Sequence, residues 1–434
     1  MPANYTEDDL ADGRAALLSG WSSGSEPGLV ITKTSGSLVW DSKGNEYIDC
    51  TSMAWSNNLG GSVPEVVEAA FAQARELSHL RSNFDSVPLL LLSKAMTDSA
   101  PGDLKRIGLT LHGSLAVEMA MKLAMINRPR HTGPFLALTD AYHGRSLASM
   151  ALGWPHPNHA FDRTFPSVLR VPQPYAYRSG RSADDEVDFC IGELRDAISR
   201  RATGLPPAFF MEPVQGNGAQ LDFPRRYYQE VRQVCTEHDI LLVFDEVQTG
   251  FGRTGTMWAA EYYDVVPDIL VFGKGVGGGF PVAGVLSSAA LDGFQPGDDA
   301  LTFGEFPVSM AAGLAALEVL KRDNLLQACA EMGKYTTDAL HAMKPRHPLI
   351  GDIRGPGLLI GIELVRDQQT KEPAAAEALE VYRQAVDLGV LFGTTKYNGL
   401  GNVLKIKPPF TITRAQMDRV LDVLDRVLTN IESR

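Results

Sequence analysis

Two adjacent carboxylates and one lysine directly follow apolar runs of the sequence, although strands that are buried on both faces normally avoid charge. Asp245 and Glu246 directly follow the apolar run ILLVF, and Lys274 follows a second run, ILVFG, among glycines. A carboxylate buried without a partner carries a large desolvation cost, and a desolvated lysine has a lowered pKa that makes it a usable nucleophile. The three residues indicate a shared ligand site or, as the simpler alternative, a salt bridge to an arginine with Lys274 exposed.

A single cofactor would explain both the acid and the lysine. In open α/β sheets, ligands bind beyond the carboxyl ends of the strands, and Asp245 and Lys274 both follow such strands. A lysine that forms a Schiff base and an acid that pairs with a protonated ring nitrogen are the two groups that pyridoxal phosphate requires. The sequence therefore favours a pyridoxal-phosphate site at this edge of the sheet.

Candidate partners for the rest of this cofactor lie earlier in the chain. Gly113 and Ser114 form a turn that leads into a helix, and the free N–H groups and positive dipole of a helix start bind anions. Tyr142 follows another apolar run and could stack on the cofactor ring, with His143 beside it. The alternative for Tyr142 is an aromatic residue that only closes the core.

The elements that must position these residues alternate along the chain. The runs FLALTD, AFFMEPV, ILLVFDE and ILVFGK lack strict alternation, as expected of parallel strands buried on both faces by helices. SLVWDSKGNEYIDC and IGDIRGPGLLIGIELV, on either side of them, each predict paired strands. The final helix begins at a capping box, Thr413 with Gln416.

This pattern predicts a large α/β domain with a mainly parallel central sheet, and a smaller α+β domain formed by both ends of the chain. Residues 1–60 are assigned to an N-terminal arm and part of the small domain. Residues 61–310 are assigned to the large domain, and residues 311–434 to the C-terminal part of the small domain.

Composition argues against several classes of partner. The 434-residue chain has a formal net charge of -12 and a pI near 5.3, which disfavours nucleic acid and anionic membrane surfaces. No apolar run approaches the roughly 20 residues of a membrane helix, and the polar start MPANYTEDDL shows no targeting signal. We therefore expect a cytoplasmic protein with reduced cysteines. No metal site is expected at His156 and His159, because no acid or cysteine completes a ligand set there.

With these residues in view, the chain resembles the class III aminotransferases. The resemblance is carried by LLVFDEVQTGFGRTG and PDILVFGKGVGGGFPVAG, and by YHGRS, EPVQG, TFG, IRGPGLLIGIEL and PPFTIT in the family's order. It runs from about Gly36 to the C-terminus and looks most like the branch of dialkylglycine decarboxylase and 4-aminobutyrate aminotransferase. It implies fold type I, pyridoxal phosphate as cofactor, and a homodimer with shared active sites.

The resemblance also implies a role for each matching position. Lys274 would form the Schiff base and move the proton between substrate and cofactor, and Asp245 would keep the ring nitrogen protonated. The other implied cofactor-binding positions are Val247 and Tyr142 on the two ring faces, Gln248 at the phenolic oxygen, Gly113 and Ser114 at the phosphate, Glu212 in support, and Thr302 at the phosphate of the neighbouring subunit.

Several other matching positions are unusual for the family. Leu115 and Asn217 stand where acids are common, and Gly61 and Val63 replace two histidines. The cofactor positions are therefore retained while part of their surroundings has changed, which indicates an uncommon substrate or an uncommon outcome of the same chemistry.

The expected substrate-binding positions are altered as well. Lys405 stands where the family often has an arginine that binds the substrate carboxylate, and lysine offers a point charge in place of a planar fork. Ala54, beside Trp55, stands where the decarboxylase has a glutamine, which counts against simple dialkylglycine decarboxylation.

The leading hypothesis is an aminotransferase that moves an amino group between an amino acid or amine and a keto acid or aldehyde. The alternative is an enzyme of the same fold that uses the substrate carbanion for decarboxylation, epimerisation or carbon–carbon bond formation in specialised metabolism. A third hypothesis, a non-catalytic homologue with a binding role, is disfavoured by the intact Lys274 and Asp245.

Overall fold

The computed structural model describes residues 5–18, 28–153, 166–218, 220–394 and 401–434. The α-helices are α1 (Glu7–Ala15), α2 (Ser52–Trp55), α3 (Pro64–Glu76), α4 (Val87–Ser99), α5 (Gly113–Asn127), α6 (Leu147–Leu152), α7 (Ala176–Ser179), α8 (Ala183–Asp196), α9 (Arg225–Glu237), α10 (Ala259–Tyr263), α11 (Pro307–Arg322), α12 (Leu325–Met343), α13 (Ala375–Asp387) and α14 (Arg414–Glu432). Short turns of other helix types span Ala197–Arg201, Lys274–Gly277 and Lys344–Arg346.

The strands are β1 (Ile31–Ser35), β2 (Leu38–Asp41), β3 (Glu46–Asp49), β4 (Leu104–Thr110), β5 (Phe135–Leu138), β6 (Val168–Val171), β7 (Ala208–Met211), β8 (Val214–Gln215), β9 (Leu221–Asp222), β10 (Leu241–Asp245), β11 (Ile269–Phe272), β12 (Ala283–Ser288), β13 (Ile350–Arg354), β14 (Ile360–Leu364), β15 (Val390–Leu391), β16 (Gly393–Thr394) and β17 (Val403–Ile406).

The central sheet has seven strands in the order β4-β12-β11-β10-β7-β5-β6. The pairs of β10 with β11 and β7, and of β5 with β7 and β6, are parallel, whereas β12 is antiparallel to both of its neighbours. Strands β5, β7, β10 and β11 are buried at every residue, as their unbroken apolar runs predict. The predicted α/β class with a mainly parallel sheet is confirmed.

Both ends of the chain contribute to the smaller sheets. Strands β1, β2 and β3 form an antiparallel sheet that β15, from the C-terminal part, joins in parallel beside β3. A second sheet has the antiparallel order β13-β14-β17-β16. This pairing agrees with a small α+β unit built from both termini, while the boundaries at residues 60 and 310 stay predictions.

The helices close the sheets by burying their apolar stripes. Helix α5 packs against the central sheet through side chains such as Val117, Ala120 and Ala124. Helix α14 begins at the capping box, since Gln416 N donates to Thr413 Oγ1 at 3.2 Å. Its buried face comprises Met417, Val420, Leu421, Val423, Leu424, Val427 and Leu428. Each such side chain contributes about 1.5–3 kcal/mol when fully buried.

The two adjacent carboxylates at the end of β10 serve different faces of the fold. Glu246 turns away from Asp245, and its carboxylate accepts hydrogen bonds from Ala259 N at 2.6 Å and Ala260 N at 2.8 Å. These bonds anchor the first turn of α10 to the strand end. Burial raises the pKa of the Glu246 carboxyl to about 7, although these backbone donors act against the shift.

Within the part of the chain that is described, no helix is both long and apolar enough to cross a lipid bilayer.

The raised pKa of Glu246 predicts a pH-dependent contribution to stability. Because the folded-state pKa of about 7 exceeds the ordinary value of 4.5, the folded chain retains a proton that the unfolded chain releases between these values. The unfolding free energy from this group therefore falls as pH rises from about 4.5 to 7, at most about 1.4 kcal/mol per pH unit.

The variant Glu246→Gln cannot titrate, so we expect its thermal midpoint to lie below that of the wild type at pH 5 and to approach it by pH 7.5. Calorimetry at fixed scan rate and three pH values measures the difference. A deficit that stays constant or widens with pH would contradict this assignment.

Candidate active site

A cavity of about 420 Å³ lies where β5, β10 and β11 end and α5 begins. This volume falls within the roughly 300–1,000 Å³ typical of small-molecule sites. Its lining comprises Ser56, Leu111, His112, Gly113, Ser114, Tyr142, His143, Gly144, Glu212, Asp245, Val247, Gln248, Lys274, Gly279, Phe280, Pro281 and Val282. Carboxylates, a lysine and a helix start therefore face one space at the carboxyl edge of the sheet, where α/β folds bind ligands.

Asp245 is held from two sides at the end of β10. Its Oδ2 accepts a hydrogen bond from His143 Nδ1 at 2.7 Å, and its Oδ1 accepts one from Val247 N at 3.1 Å. The residue is 5% exposed, and the edge of the Phe210 ring packs against His143. Since each carboxylate oxygen accepts two hydrogen bonds, Asp245 keeps acceptor capacity for a cationic group in the cavity.

Lys274 opens the short turn that follows β11. Its backbone lies in the left-handed region, with φ at 48°, a conformation that is unfavourable for residues other than glycine. Burial lowers the pKa of the Lys274 amine, while the negative charges of Asp245 and Glu212 act against that shift. A desolvated amine of this kind reaches the neutral, nucleophilic form more easily than an exposed lysine.

Glu212 connects two of the loops around the cavity. Its Oε1 accepts a hydrogen bond from Tyr142 N at 2.8 Å, and its Oε2 accepts one from Gly216 N at 2.9 Å. Burial raises the pKa of the Glu212 carboxyl. The side chain therefore fixes the backbone that carries Tyr142 and adds a polar group next to Lys274.

The start of α5 forms the other end of the cavity. His112 is the N-cap residue and makes no capping hydrogen bond with its side chain, so the first N–H groups of the 15-residue helix are left for a ligand. Ser114 Oγ accepts a hydrogen bond from Arg145 N at 2.9 Å. A Cβ on Gly113 would meet Val247 at 3.0 Å, and one on Gly144 would meet Ser114 Oγ at 2.4 Å. Both glycines are required for this close approach.

These residues fit pyridoxal phosphate. The helix start at Gly113 and Ser114 offers donors to a phosphate, Asp245 offers an anionic acceptor to a protonated ring nitrogen, and Lys274 offers the amine for a Schiff base. Val247 and Tyr142 supply the side chains that could enclose a planar ring. When bound, the cofactor supplies an aldehyde for condensation with amines and a ring that withdraws electrons from the α-carbon.

The short segment α2, which lies beside the cavity, is a turn whose backbone departs from right-handed helical geometry. Ser52, Met53, Ala54 and Trp55 all have left-handed φ values, of 46°, 47°, 61° and 65°. This conformation costs roughly 1–2 kcal/mol per residue and needs external support. Asp49 provides part of that support, because its carboxylate accepts hydrogen bonds from the backbone N–H of Thr51 and Met53.

Two buried lysines face the ring of Trp55: Lys405 lies in β17, and Lys407 directly follows this strand. The Nζ atoms of Lys405 and Lys407 lie 5.5 Å and 4.2 Å from its ring centroid. Lys405 Nζ donates to Gly216 O at 2.9 Å, and both lysines are fully buried. Burial lowers the pKa of the Lys405 amine to about 7, with Glu212 acting against the shift.

The structure divides the residues selected from sequence into two groups. It brings into the cavity lining Gly113, Ser114, Tyr142, His143, Glu212, Asp245, Val247, Gln248 and Lys274. Four others lie outside the described lining: Trp55 and Ala54 in the left-handed turn, Lys405 in the buried pair, and Thr302 exposed after β12. Their roles stay predictions.

His156 and His159 lie outside the described residues. No group of histidines, cysteines and acids that could hold a metal ion occurs among the residues that are described.

Sequence reasoning missed Lys407 and Ser56. Lys407 lies two positions after Lys405, so the alternation of an extended chain puts both side chains on one face. That spacing was a usable signal for the buried pair. Nothing in the sequence around Ser56 distinguishes it, because its place in the lining depends on the left-handed turn before it.

Comparisons of the whole chain with known proteins identify its family. The family described as Aminotransferase class-III matches residues 21–428. A 4-aminobutyrate aminotransferase of Escherichia coli (strain K12) is 36% identical over 395 residues, which cover 89% of this chain and 90% of that protein. A leucine/methionine racemase of Thermococcus litoralis is 35% identical over 412 residues, covering 93% and 91% respectively.

The fold comparison gives the same result. The crystal structure of a Bacillus anthracis aminotransferase is similar to this chain with a TM-score of 0.89 and 29% sequence identity, covering 98% of both chains. The family expected from the sequence, its fold and its cofactor are confirmed. This chain belongs to the class III aminotransferases and is a pyridoxal-phosphate-dependent aminotransferase.

Proposed function

We propose that Lys274 is the attachment point for the cofactor and the group that moves the α-proton during amino transfer. The observation that supports this most directly is the burial of its amine at the wall of the cavity that Asp245 and Glu212 also line, where the charges of both carboxylates act on it. In its neutral form the amine would accept the proton from the substrate α-carbon, and in its charged form it would return that proton to the former aldehyde carbon of the cofactor, two bonds from the α-carbon. The amino group of an amino acid or amine is thereby transferred to a keto acid or aldehyde.

Asp245 and His143 have a separate task in this proposal. The carboxylate of Asp245 keeps a proton on the ring nitrogen, and the hydrogen bond from His143 Nδ1 holds that carboxylate in one orientation. A protonated ring accepts negative charge from the α-carbon much better than a neutral ring does. Glu212 maintains the loop geometry that puts Tyr142 at the cavity.

Lys405 is proposed to bind the carboxylate of the substrate, with Ala54 and Trp55 beside it. Burial lowers the pKa of the Lys405 amine to about 7, and an incoming carboxylate favours the charged form again. A single ammonium gives a point contact, so selection among substrates depends on the shape around Trp55 as well as on the charge.

Epimerisation at the α-carbon is the second candidate. It is favoured by the sequence identity to the leucine/methionine racemase, 35%, which is nearly the same as the 36% identity to the 4-aminobutyrate aminotransferase. Both reactions begin when an amine such as that of Lys274 removes the α-proton, and they differ only in where the proton returns. Decarboxylation and carbon–carbon bond formation would use the same negative charge but have no comparable support.

The proposed assembly is a homodimer in which Thr302 reaches the phosphate site of the neighbouring subunit. Thr302 is exposed and precedes Phe303, whose ring contacts His79 with centroids 4.6 Å apart. Large apolar side chains are exposed beside Thr302, within α4 and just before α4, namely Phe303, Val87, Leu90, Leu91 and Phe84. Such exposure is typical of a surface that pairs with a second copy.

A cytoplasmic location is proposed as well. The cysteines Cys50, Cys190, Cys235 and Cys329 are all free and buried. Unpaired thiols in a chain of this size are typical of a reducing compartment.

A half-reaction screen tests the proposed reaction. We expect an amino acid or amine from a defined panel to bleach the visible absorption of the cofactor-loaded protein and to yield its keto acid or aldehyde by mass spectrometry. A keto acid should then restore the absorption. The control variant Lys274→Ala should do neither.

The same screen in deuterated water separates the two candidates. If the recovered amino acid carries deuterium at the α-carbon, has changed configuration and is not accompanied by a keto product, the reaction is epimerisation and not amino transfer. Absence of both spectral change and exchange across the panel would contradict the proposed reaction.

Asp245→Asn tests the role of the ring-facing carboxylate. We expect this variant to retain the cofactor but to lose about 100-fold or more in turnover, because a neutral amide cannot stabilise a cationic ring nitrogen. Turnover per bound cofactor is the measurement. The matched control is Glu246→Gln at the adjacent carboxylate, which should stay within a few-fold of wild type. Equal losses in both variants would contradict the assignment.

Subunit complementation tests the shared site. Lys274→Ala and Thr302→Asp should each be inactive as homodimers, while coexpressed mixtures should recover about one quarter of wild-type activity, since half the dimers are mixed and each has one intact site. Sedimentation should give twice the chain mass of 47.1 kDa. A monomer, or mixtures without recovered activity, would contradict this arrangement.

A further inference from the structure

Lys407 is a buried cation that the proposed reaction does not use. Its Nζ atom donates to Gln248 Oε1 at 2.5 Å and to Gln220 Oε1 at 2.6 Å, and the ring of Trp55 covers it. Among the described residues, no carboxylate lies within salt-bridge distance of this amine. A buried ammonium without an acidic partner is costly, so its retention calls for a specific role.

The chemistry of the lysine decides how the two amides are turned. An ammonium has only donors, so each glutamine must present its oxygen to Lys407 and turn its nitrogen away. Gln220 Nε2 accordingly has no partner within the described chain. For Gln248, the amide nitrogen lies close to Gly216, where an added Cβ would come within 2.0 Å of it.

Gln248 is the link between Lys407 and the active site. It follows Asp245 and Val247 on the loop after β10, and it lines the same cavity as Lys274. Because Lys407 occupies its oxygen, the N–H groups of its amide are the polar atoms available to a ligand. Pyridoxal phosphate carries a phenolic oxygen beside the aldehyde that reacts with the lysine, and that oxygen accepts hydrogen bonds.

We propose that Lys407 is a positioning residue that orients the Gln248 amide so that its N–H group donates to the phenolic oxygen of the cofactor. The inference rests on the proposed attachment of the cofactor to Lys274. Without Lys407 the amide can rotate by half a turn and present its oxygen to the phenolic oxygen, which is repulsive. Lys407 thus controls the cofactor through one neutral side chain and touches neither cofactor nor substrate.

The surroundings of Lys407 make this amide contact important. Burial lowers the pKa of the Lys407 amine, and the positive charges of Lys405, Lys274 and Arg253 add to that effect, while Glu212 opposes it. The two amide oxygens and the face of Trp55 favour the ammonium form, as Glu212 does. An anionic phenolic oxygen at the far side of Gln248 would favour it further through the polarised amide.

A double-mutant cycle on cofactor-loaded protein tests this role by absorption spectroscopy. The visible absorption changes with pH as the proton shared by the Lys274 nitrogen and the phenolic oxygen is lost. A donor at the phenolic oxygen favours proton loss, so Lys407→Met should raise the midpoint of this titration by about one pH unit. Gln248→Ala should raise it by a similar amount, and the double variant no further than either.

Gln220→Met is the matched control, because it removes the other amide on Lys407 and leaves the Gln248 contact in place. Its midpoint should stay within about 0.3 units of wild type. Cofactor dissociation constants and thermal midpoints of all variants, measured alongside, show whether each protein is folded and loaded. If Lys407→Met does not fold, Lys407→Leu takes its place in the cycle with the same expected shift, because only a change at position 407 tests the orientation of the Gln248 amide.

Two results would overturn the inference. An unchanged midpoint in Lys407→Met or in Gln248→Ala would show that the amide orientation does not matter. If Lys407→Met shifts the titration midpoint by the same amount when Gln248 is already alanine, the lysine acts on the cofactor directly through its charge and not by orienting the Gln248 amide. The outcome is independent of the reaction catalysed, since the titration requires a bound cofactor but no substrate.

Discussion

The site depends on keeping a lysine amine out of water next to carboxylates that are themselves buried. Lys274 lies at the end of one central strand and Asp245 at the end of the next, so the parallel sheet alone brings the two charges to the same edge. Burial lowers the pKa of the amine and the carboxylates resist that shift. In the proposed mechanism this balance lets the lysine accept and return a proton during amino transfer.

The backbone is strained at several residues in and beside this site. Lys274 and the turn Ser52–Trp55 adopt left-handed conformations that glycine would hold more easily. Strain of this kind persists only where surrounding contacts over-determine the backbone. Here Asp49 holds the turn, and buried Arg253 donates to Ser52 Oγ and to Asn58 Oδ1. Strand β3 and the loop after β10 thus support the turn that lies beside the cavity.

The cavity residues that we propose to hold the cofactor could be selected from the sequence because they lie at the ends of strands and at a helix start, positions that apolar runs and glycine turns reveal. Asp245, Lys274 and Gly113 are of this kind. Glu246 looked equivalent to Asp245 in sequence, yet it points the other way and anchors α10. A strand alternates its side chains between faces, so only one of two adjacent acids can face the ligand.

The substrate half was less predictable because it depends on long-range pairing. Lys405 and Lys407 lie on and just after β17, which pairs with β14 and β16. Their contact with Trp55 therefore joins the C-terminal and N-terminal parts of the chain. The partners of Lys407, Gln220 and Gln248, come from two further loops. No local pattern in the sequence predicts such contacts.

The central claim is that the cofactor is held covalently on Lys274 with its ring facing Asp245. Reduction of the loaded protein with borohydride, followed by proteolysis and mass spectrometry of the peptides, tests it directly. The account predicts one pyridoxyl-modified peptide, with the modification on Lys274. Modification on Lys405 or Lys407, or recovery of all cofactor in free form, would contradict it.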